Sequence, residues 1–576
     1  MRLPLLPRAV ALAGTLPLLA LAATDSGQIL NEQQRSAPPL QRRADPPVLR
    51  GTDALPAPAA TNGLRMQLTA VRFTGATTLA PDDELQAQVA PAIGRTLGHA
   101  ELQALADGVT RWLRGRGFLL ARAWLPRQDV TAGTLEIALI DGRLQPGPGR
   151  IGIEGTTRID AQRLRAIAQA ALPEDRALHS DDLERALLLL NDLPGLSARG
   201  ALVRGDAPGT SRLVIEARED RAFAGSAQLD NFGGRSTGVA RIGGRFDAFG
   251  PLALGDALGL VASASEGTKA LGASYGLPLS ASGWRLLADA STLRYEIGGE
   301  LAPLELKGDA STFTLGLSYP LLRTRAANLT LQAAAEHKRL TDDGLGASLR
   351  DRQLFGVTLS LSGQRTDDLG GGGFSEFGIA LSGGHADLSR NEADRIADAA
   401  SARTHGHFDK LSLRASRVQS IGQGSAAWSL FASLNGQLSA RNLDSSEKFI
   451  LGGPNGVRAY PVGEAPGDAG AIATVELRRE LAFGTAMRGQ AFAFLDAGTI
   501  ALHAQPWPGS IATTSGRNRY SLSGAGIGLN LTHGAWSARG AIAHALGDNP
   551  GRTVDGKDAD GRASRTRAWV QAGRSF

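Results

Sequence analysis

One stretch of the sequence is Phe313-Thr314-Leu315-Gly316-Leu317-Ser318-Tyr319, in which every odd position is apolar and every even position is small or polar. This period of two is typical of a β-strand with one apolar and one polar face. From about Phe223 to Phe576, similar segments alternate with clusters of Gly, Asp and Ser, and helical periodicity largely disappears. The alternation recurs in Leu329-Thr330-Leu331-Gln332, Val357-Thr358-Leu359-Ser360-Leu361 and Trp428-Ser429-Leu430. The pattern predicts an all-β domain over roughly 350 residues.

The alternation fits a soluble sandwich, whose polar face meets water, and also a membrane barrel, whose apolar face meets lipid. Three features favour the barrel: an export signal, the length of the strand-like region, and a chain that ends on Phe576 after the strand-like run from Ala568 to Arg574. At roughly 22 residues for each strand with its connection, the region holds about 16 antiparallel strands. A barrel of that size leaves an aqueous channel.

The first residues carry an export signal. Arg2 and Arg8 precede or flank a short apolar stretch, Ala9 to Leu19, which ends in the cleavage pattern Ala20-Leu21-Ala22. A membrane-spanning anchor would need about 20 apolar residues, and this stretch is shorter and contains Pro17. We expect residues 1–22 to be a signal peptide that is cleaved on export.

Composition restricts the possible functions. A chain of 576 residues is too long for one compact core, and its 73 glycines favour β structure with many turns. It contains no cysteine, which excludes disulfides, thiolate metal sites and a cysteine nucleophile. The net charge is +5 with basic and acidic residues interspersed, so no nucleic-acid partner is expected.

A short isolated helix is expected over residues 25–36, with Asp25 as its N-cap. From Ala37 to Asn62 the chain is rich in Pro and Ala, which predicts a semi-extended linker over residues 37–65.

Residues 66 to 220 repeat with a period near 80, and each copy predicts the order β-α-α-β-β. The strand Val71-Arg72-Phe73-Thr74-Gly75 of the first copy matches Ile151-Gly152-Ile153-Glu154-Gly155 of the second. First helices are expected at 81–91 and 159–171, and second helices at 99–115 and 180–191, with Ser180 as an N-cap. Strands are expected to restart at Gly117-Phe118 and Gly195-Leu196, and to end in Leu135-Glu136-Ile137 and Leu213-Val214-Ile215.

Four short motifs suggest chemistry, and none has the context that the chemistry needs. Gly272-Ala273-Ser274-Tyr275-Gly276 fits a nucleophile elbow, but Leu277-Pro278-Leu279 follows in place of a helix. Asp558-Ala559-Asp560-Gly561 has neither an acid at 556 nor a Glu at 567, so it is interpreted as a polar loop. Gly452-Gly453-Pro454-Asn455-Gly456 lacks the ending of a phosphate-binding loop. His405-Gly406-His407 has no third ligand nearby in sequence. No catalytic residue, metal site or cofactor is expected.

Two segments carry a family resemblance. The tetrad Val457-Arg458-Ala459-Tyr460 resembles a V-R-G-Y motif, and Phe494-x-Asp496-x-Gly498 resembles an F-x-D-x-G motif. Both are typical of two-partner secretion transporters (TpsB proteins, the haemolysin and filamentous-haemagglutinin transporter family), a branch of the POTRA-containing outer-membrane barrels. The third tetrad position is Ala459, where the family motif has Gly.

The resemblance extends over nearly the whole chain after residue 22. It implies a plug helix at 23–36, a linker at 37–65, POTRA domains at 66–145 and 146–220, and a transmembrane barrel at 221–576. Gly117 to Leu125 with Pro126 and Gln128 is similar to a stretch of the family's first POTRA domain, and Leu229-Asp230-Asn231-Phe232-Gly233 is similar to its first barrel strand. Arg574 is a departure, because many such barrels carry an apolar residue there.

For function, the resemblance implies a monomeric outer-membrane transporter, not an enzyme, in contact with outer-membrane lipid. Its periplasmic POTRA domains would capture an unfolded TpsA-type exoprotein, an adhesin, haemolysin or toxin, which crosses the barrel without a nucleotide. POTRA strand edges are the expected binding sites. Arg458 and Asp496 are expected to form an ion pair between a lumen loop and the barrel wall. The alternatives are an outer-membrane protein assembly insertase of the same superfamily and a passive porin.

Overall fold

The structure is a computed structural model that describes residues 25–36, 49–50, 65–206, 210–422, 427–484 and 486–576. The predicted signal peptide and most of the predicted linker lie outside these residues. Within the described ranges, no helix combines the length and apolarity needed to cross a bilayer.

The first described element is helix α1, Ser26–Ser36. The Asp25 carboxylate accepts a hydrogen bond from the backbone N–H of Gln28 (2.9 Å), which is the geometry of an N-cap. The sequence suggested an isolated helix, but in the structure the helix packs against other parts of the chain. Ile29 and Leu30 are buried against barrel residues, because the apolar side of this short helix packs inside the barrel.

Strand β1, Leu49–Arg50, precedes a first α+β unit. The sheet of this unit has the order β3-β6-β5, and β2 pairs separately with β4. The helices pack their apolar faces on the sheet around Leu113, Leu135 and Ile137. The elements of the unit are β2 Arg65–Gln67, β3 Ala70–Gly75, α2 Asp82–Val89, β4 Thr96–Gly98, α3 His99–Gly115, β5 Arg122–Trp124 and β6 Thr134–Ile140.

A second α+β unit has its own core around Leu164, Leu187 and Ile215. Its central strand β10 pairs antiparallel with β9 and parallel with β7 and β8, and β1 adds to the outer edge of β9. The elements of this unit are β7 Arg143–Leu144, β8 Ile151–Glu154, α4 Ala161–Ala171, α5 Ser180–Asn191, β9 Leu196–Arg204 and β10 Thr210–Glu219.

Some predicted boundaries in these units were wrong. Helix α5 is capped by His179 and not by Ser180, since the His179 side chain accepts from the Asp181 N–H. In the first unit the strand restarts at Arg122, because Gly117 adopts a φ of +97° and residues 117–121 form a turn.

Sixteen antiparallel strands close into a barrel, with the first strand β11 hydrogen-bonded to the last strand β28. The predicted fold class and strand number are confirmed. The first strand ends at Asp230, so Asn231-Phe232-Gly233 lies beyond it. The barrel strands are β11 Phe223–Asp230, β12 Arg241–Phe249, β13 Ala257–Ala264, β14 Thr268–Pro278, β15 Arg285–Glu296, β16 Lys307–Arg323, β17 Ala327–Gly344, β18 Ala347–Asp367, β19 Gly373–Asp387, β20 Gly406–Ile421, β21 Trp428–Leu438, β24 Ala469–Phe483, β25 Met487–Ala501, β26 Arg519–His533, β27 Trp536–Ala545 and β28 Thr566–Ser575. Between them lie helix α6, Glu392–Ala399, and the small strands β22, Phe449–Ile450, and β23, Pro466–Gly467.

Alternating side chains give each barrel strand an exposed outer face and a face toward the lumen. Phe313, Leu315 and Leu317 are exposed on one face of β16, whereas Ala310 on the opposite face is buried in the lumen. Ser274, the candidate nucleophile, lies within β14 and not on a strand-to-helix turn.

The second α+β unit contacts the barrel at one end. Arg163 donates to the backbone oxygen of Pro278 (2.6 Å), where β14 ends. Arg323, at the end of β16, forms an ion pair with Asp192 (2.7 Å). This end is therefore on the side of the α+β units, and the loop between β21 and β24 enters the barrel from the opposite end.

Candidate transport site in the barrel lumen

Residues 439–468, which we call the lumen loop, connect β21 to β24 and fold back into the barrel. The small hairpin β22-β23 shapes the loop. Leu451, Val457 and Tyr460 are buried against the barrel wall in one apolar cluster. The loop therefore packs as part of the barrel interior.

Arg458 fixes the tip of the lumen loop to two neighbouring strands. Its guanidinium donates two hydrogen bonds to the Asp496 carboxylate on β25 (2.9 and 2.8 Å) and one to Glu476 on β24 (2.7 Å). It also stacks on the Phe494 ring, 3.4 Å from its centroid. The side chains of Arg458, Asp496 and Glu476 are 4%, 0% and 5% exposed. A buried guanidinium is tolerated here because two carboxylates satisfy its donors.

The backbone of the tetrad is held as well. The Trp569 indole N–H of β28 donates to the backbone oxygen of Arg458 (2.8 Å). The Arg458 N–H donates to Asp496 (3.1 Å). Through Arg458, the lumen loop is thus attached to β24, β25 and β28.

Ala459 fits without strain, although the family motif has Gly at this position. It is absent from the residues with positive φ, so its methyl group costs no backbone strain. Its neighbour on β26 is Gly524, where an added Cβ would lie 2.5 Å from the Ala459 Cβ. The methyl at 459 is therefore accommodated by the missing methyl at 524.

This complementarity gives a testable prediction. Gly524→Ala should push the lumen loop from the wall and lower secretion, the activity that the family resemblance implies. Adding Ala459→Gly should restore most of it, because the 2.5 Å contact between the two Cβ atoms is then removed. Secretion of the partner protein by cells carrying each variant measures this. Gly540→Ala on β27 is the matched control, since an added Cβ there meets no atom within 4 Å. A single variant that secretes like the Gly540→Ala control would contradict the prediction.

The far end of the lumen loop is fixed to the loop between β27 and β28. The Glu464 carboxylate accepts hydrogen bonds from Asn549 (2.8 Å) and from the Ala559 N–H (2.7 Å). Burial of this loop residue raises its pKa to about 7. Asp558, interpreted as part of a polar loop, is in fact buried beside it and paired with Arg552 and Arg567.

Helix α1 occupies the lumen beside this loop, and its N-terminal end meets a buried charge cluster. Arg352 of β18 contacts the carboxylates of Asp25 (3.2 Å), Asp342 (2.8 Å) and Asp444 (2.6 Å). Arg350 adds a second ion pair to Asp25 (2.7 Å). The cluster joins the helix, the barrel wall and the lumen loop through one guanidinium. We call this cluster of Asp25, Asp342, Arg350, Arg352 and Asp444 the plug anchor.

The rest of α1 is held by the buried side chains of Ile29 and Leu30 and by hydrogen bonds. Asn31 and Arg35 donate to the backbone oxygens of Lys448 and Ile450 in the lumen loop (2.6 Å each). Gly27 lets the helix approach the loop, because a Cβ there would lie 2.4 Å from the Ser445 Oγ. A cavity of about 340 Å³ remains between Asn31, Arg35 and the wall residues Lys338 and Lys410. The helix therefore closes the lumen without filling it.

Known proteins share this architecture. A family model described as haemolysin secretion/activation protein ShlB/FhaC/HecB matches residues 209–531, more than half of the chain. The chain belongs to this family. A second model, the ShlB-type POTRA domain, matches residues 66–142. The chain is accordingly an outer-membrane two-partner secretion transporter, and the predicted family, localisation and transport of a TpsA-type exoprotein are confirmed.

Individual proteins similar to the chain are also named as transporters. The transporter is 25% identical over 402 residues to the heme/hemopexin transporter protein HuxB of Haemophilus influenzae, covering 69% of each chain. It is 25% identical over 510 residues to the outer membrane transporter CdiB of Dickeya dadantii, covering 85% of this chain and 86% of the relative. The structure of CdiB from Escherichia coli matches with a TM-score of 0.68 at 22% identity over 100% of both chains, and CdiB from Acinetobacter baumannii with 0.61 at 16% over 98% and 99%.

The residues of the two family motifs lie together in the structure of the transporter. Arg458 and Asp496 form the expected ion pair, and Phe494 stacks on the same guanidinium. Gly498 lies beside them. A Cβ at this position would be 2.9 Å from the Leu451 side chain and 3.2 Å from the Val457 side chain, so a larger residue does not fit. The role of these residues in secretion stays a prediction.

Sequence reasoning missed Glu476 and Arg352. Both are charged residues on strands whose side chains alternate between the lumen and the outside. Their positions in the alternation of β24 and β18 could have indicated that they face the lumen. What the sequence lacked was the partner, because Arg458 is 18 residues from Glu476 and Asp25 is 327 residues from Arg352.

Proposed function

We propose that the transporter captures its exoprotein in extended form on the sheet edges of the two POTRA domains, 66–145 and 146–220. The exoprotein then passes through the lumen once α1 has left it. What supports the proposal is a 16-stranded barrel that is closed by a helix of 11 residues, which is held by hydrogen bonds, ion pairs and only two large apolar side chains, Ile29 and Leu30. Such a helix can leave and return, because water can replace polar contacts at a modest net cost.

The sheet edges of the POTRA domains differ in accessibility. Thr110 exchanges hydrogen bonds with the backbone of Ala123 on β5 (2.9 and 3.3 Å). Asn191 does the same for Ala198 on β9 (2.9 and 3.0 Å). On the central strand β6, Gln128 covers the backbone of Glu136 in this way (2.6 and 2.8 Å), at a position beyond the residues that pair with β5. Side chains thus protect these edges from pairing with other strands.

The edge of β9 at Gly200 and Ala201 is different, because it pairs with another strand, β1. This shows that the edge accepts an added parallel strand through its backbone groups. An extended exoprotein can bind there in the same manner with little dependence on its sequence. We therefore place exoprotein capture at the β9 edge, in competition with β1.

The proposal extends to the surroundings of the barrel. The exposed apolar band of residues such as Phe313 and Leu381 is in contact with outer-membrane lipid. The barrel is closed on itself and needs no second copy to complete its sheet, so we propose a monomer. The exported partner is a TpsA-type exoprotein.

Deletion of residues 66–145 tests the capture step. Because the deletion removes the first POTRA domain and leaves the barrel sequence intact, the barrel should insert while release of the partner exoprotein falls to background. Release is measured in the culture medium, and heat-modifiable migration of the barrel on gels is the control for insertion. Unchanged release of the exoprotein, with other outer-membrane proteins depleted, would instead indicate an assembly insertase.

A further inference from the structure

Three of the nine histidines in the chain lie together at the extracellular end of the β19-β20 hairpin. His385 near the end of β19 is directly opposite His407 at the start of β20. His405 precedes β20 by one residue. All three are exposed to the outside of the barrel, and none contributes to the plug or to the lumen loop. The sequence showed only His405 and His407, and the fold supplies the third.

The spacing of the rings matches that of ligands on one metal ion. The ring centroid of His385 is 5.1 Å from that of His407 and 5.8 Å from that of His405. A Zn–N bond is about 2.0–2.1 Å, which puts the ring centre about 3.2 Å from the ion; two such rings at the tetrahedral angle have centres about 5.2 Å apart. Both observed separations are near that value.

A carboxylate lies beside the rings. Asp387 Oδ1 is 4.0 Å from His405 Nδ1. The same Nδ1 accepts a hydrogen bond from the Leu388 N–H (3.2 Å), which His405 would give up to bind through this atom. As the side chains are placed, no three His, Asp or Glu residues of the described chain surround a common point. Convergence therefore needs rotation about the side-chain torsions, which exposed side chains undergo readily.

We propose that His385, His407 and His405, with Asp387 beside them, form a surface site for a divalent transition-metal ion such as Zn²⁺. Imidazole and carboxylate are ligands that Zn²⁺ accepts in tetrahedral sites. A bound ion would join β19 to β20 at the base of loop 388–405. That loop carries α6, whose Asp394 is 3.7 Å from Arg350, the partner of Asp25 in the plug. Metal binding would thus stiffen the loop that borders the plug anchor.

Calorimetric titration of Zn²⁺ into the full chain tests the site, using protein in detergent micelles without a histidine tag at pH 7.5, where imidazole is mostly neutral. One ion per chain should bind. His385→Ala and His407→Ala should each weaken binding by at least about tenfold, as loss of a ligand or of its support does. Co²⁺ in place of Zn²⁺ should give the visible absorption of a tetrahedral site, which those variants lose.

His544→Ala is the matched control, because His544 is an exposed histidine on β27, away from the cluster. It should bind Zn²⁺ like the unaltered chain. Absence of binding to the unaltered chain would overturn the proposal. Binding that survives both His385→Ala and His407→Ala, or that is lost equally in His544→Ala, would also overturn it.

Discussion

Replacing Arg458 by alanine is expected to abolish secretion of the exoprotein while the barrel stays folded. The substitution leaves Asp496 buried without its guanidinium, and removing one partner of a buried pair costs about 3–5 kcal/mol. Glu476 keeps its bond to Arg478 on the same strand (2.8 Å), and β24 and β25 remain paired through their backbone hydrogen bonds. The loss falls on the attachment of the lumen loop, which should leave its position against β24 and β25. Exoprotein in the medium and barrel migration on gels measure the two effects.

Two variants sharpen this test. Arg458→Lys keeps the charge and loses the bidentate contact to Asp496, so secretion should lie between that of the unaltered chain and that of Arg458→Ala. Arg488→Ala removes a charge from β25 at an exposed position and should secrete normally. Secretion by Arg458→Ala at the level of the Arg488→Ala control would show that the attachment of the loop is not needed.

The second large effect is expected for Arg352→Ala, which should open the channel. Without Arg352, the carboxylates of Asp342 and Asp444 are left buried beside Asp25, and like charges in a buried site repel each other. Since each 1.4 kcal/mol changes an equilibrium tenfold, loss of such a partner should raise the open fraction of the barrel by at least about tenfold. Single-channel conductance in planar bilayers measures the open fraction, and increased sensitivity of cells to vancomycin reports it in vivo.

Arg339→Ala is the control for the plug anchor. Arg339 lies on β17 and pairs with Asp351 at 3.3 Å, but its side chain is 47% exposed, so its removal should change neither conductance nor vancomycin sensitivity. If Arg352→Ala also left conductance unchanged, the charge cluster at Asp25 would not be what retains the helix.

Local periodicity was enough to predict the strands, and the export signal, the length of the strand-like region and the final Phe576 favoured a barrel over a sandwich. Strict alternation, as in Phe313 to Tyr319, defines a strand and its two faces, and the length of the strand-like region fixed the approximate strand number. The repeat between 66 and 220 likewise predicted paired α+β units, since each copy carries its own strand and helix pattern. These features are encoded within a few tens of residues.

The arrangement of the lumen could be predicted only in part. The pair Arg458 and Asp496 came from family motifs, and the structure shows the geometry of their ion pair. The anchor of the plug could not be foreseen, because Asp25 was recognisable only as an N-cap and its partners lie more than 300 residues away. The same holds for His385, which joins His405 and His407 only through strand pairing. Contacts between distant segments depend on register, and the local alternation of a strand predicts only which face each residue is on.

The most direct test of the account is to lock α1 in the lumen. The chain has no cysteine, so Gly27→Cys with Ser446→Cys introduces a single possible disulfide. A Cβ on Gly27 would lie 3.2 Å from the Ser446 Cβ, 2.4 Å from the Ser445 Oγ and 2.8 Å from the Ser446 backbone N. The helix must therefore move slightly away from the lumen loop, which brings the two Cβ atoms toward the 3.5–4.5 Å separation of a disulfide. Each single variant serves as a control and should secrete the exoprotein normally. The account predicts that the oxidised double variant secretes nothing and that reductant restores secretion. Undiminished secretion with the disulfide formed would contradict it, because the exoprotein would then pass with the helix still in place.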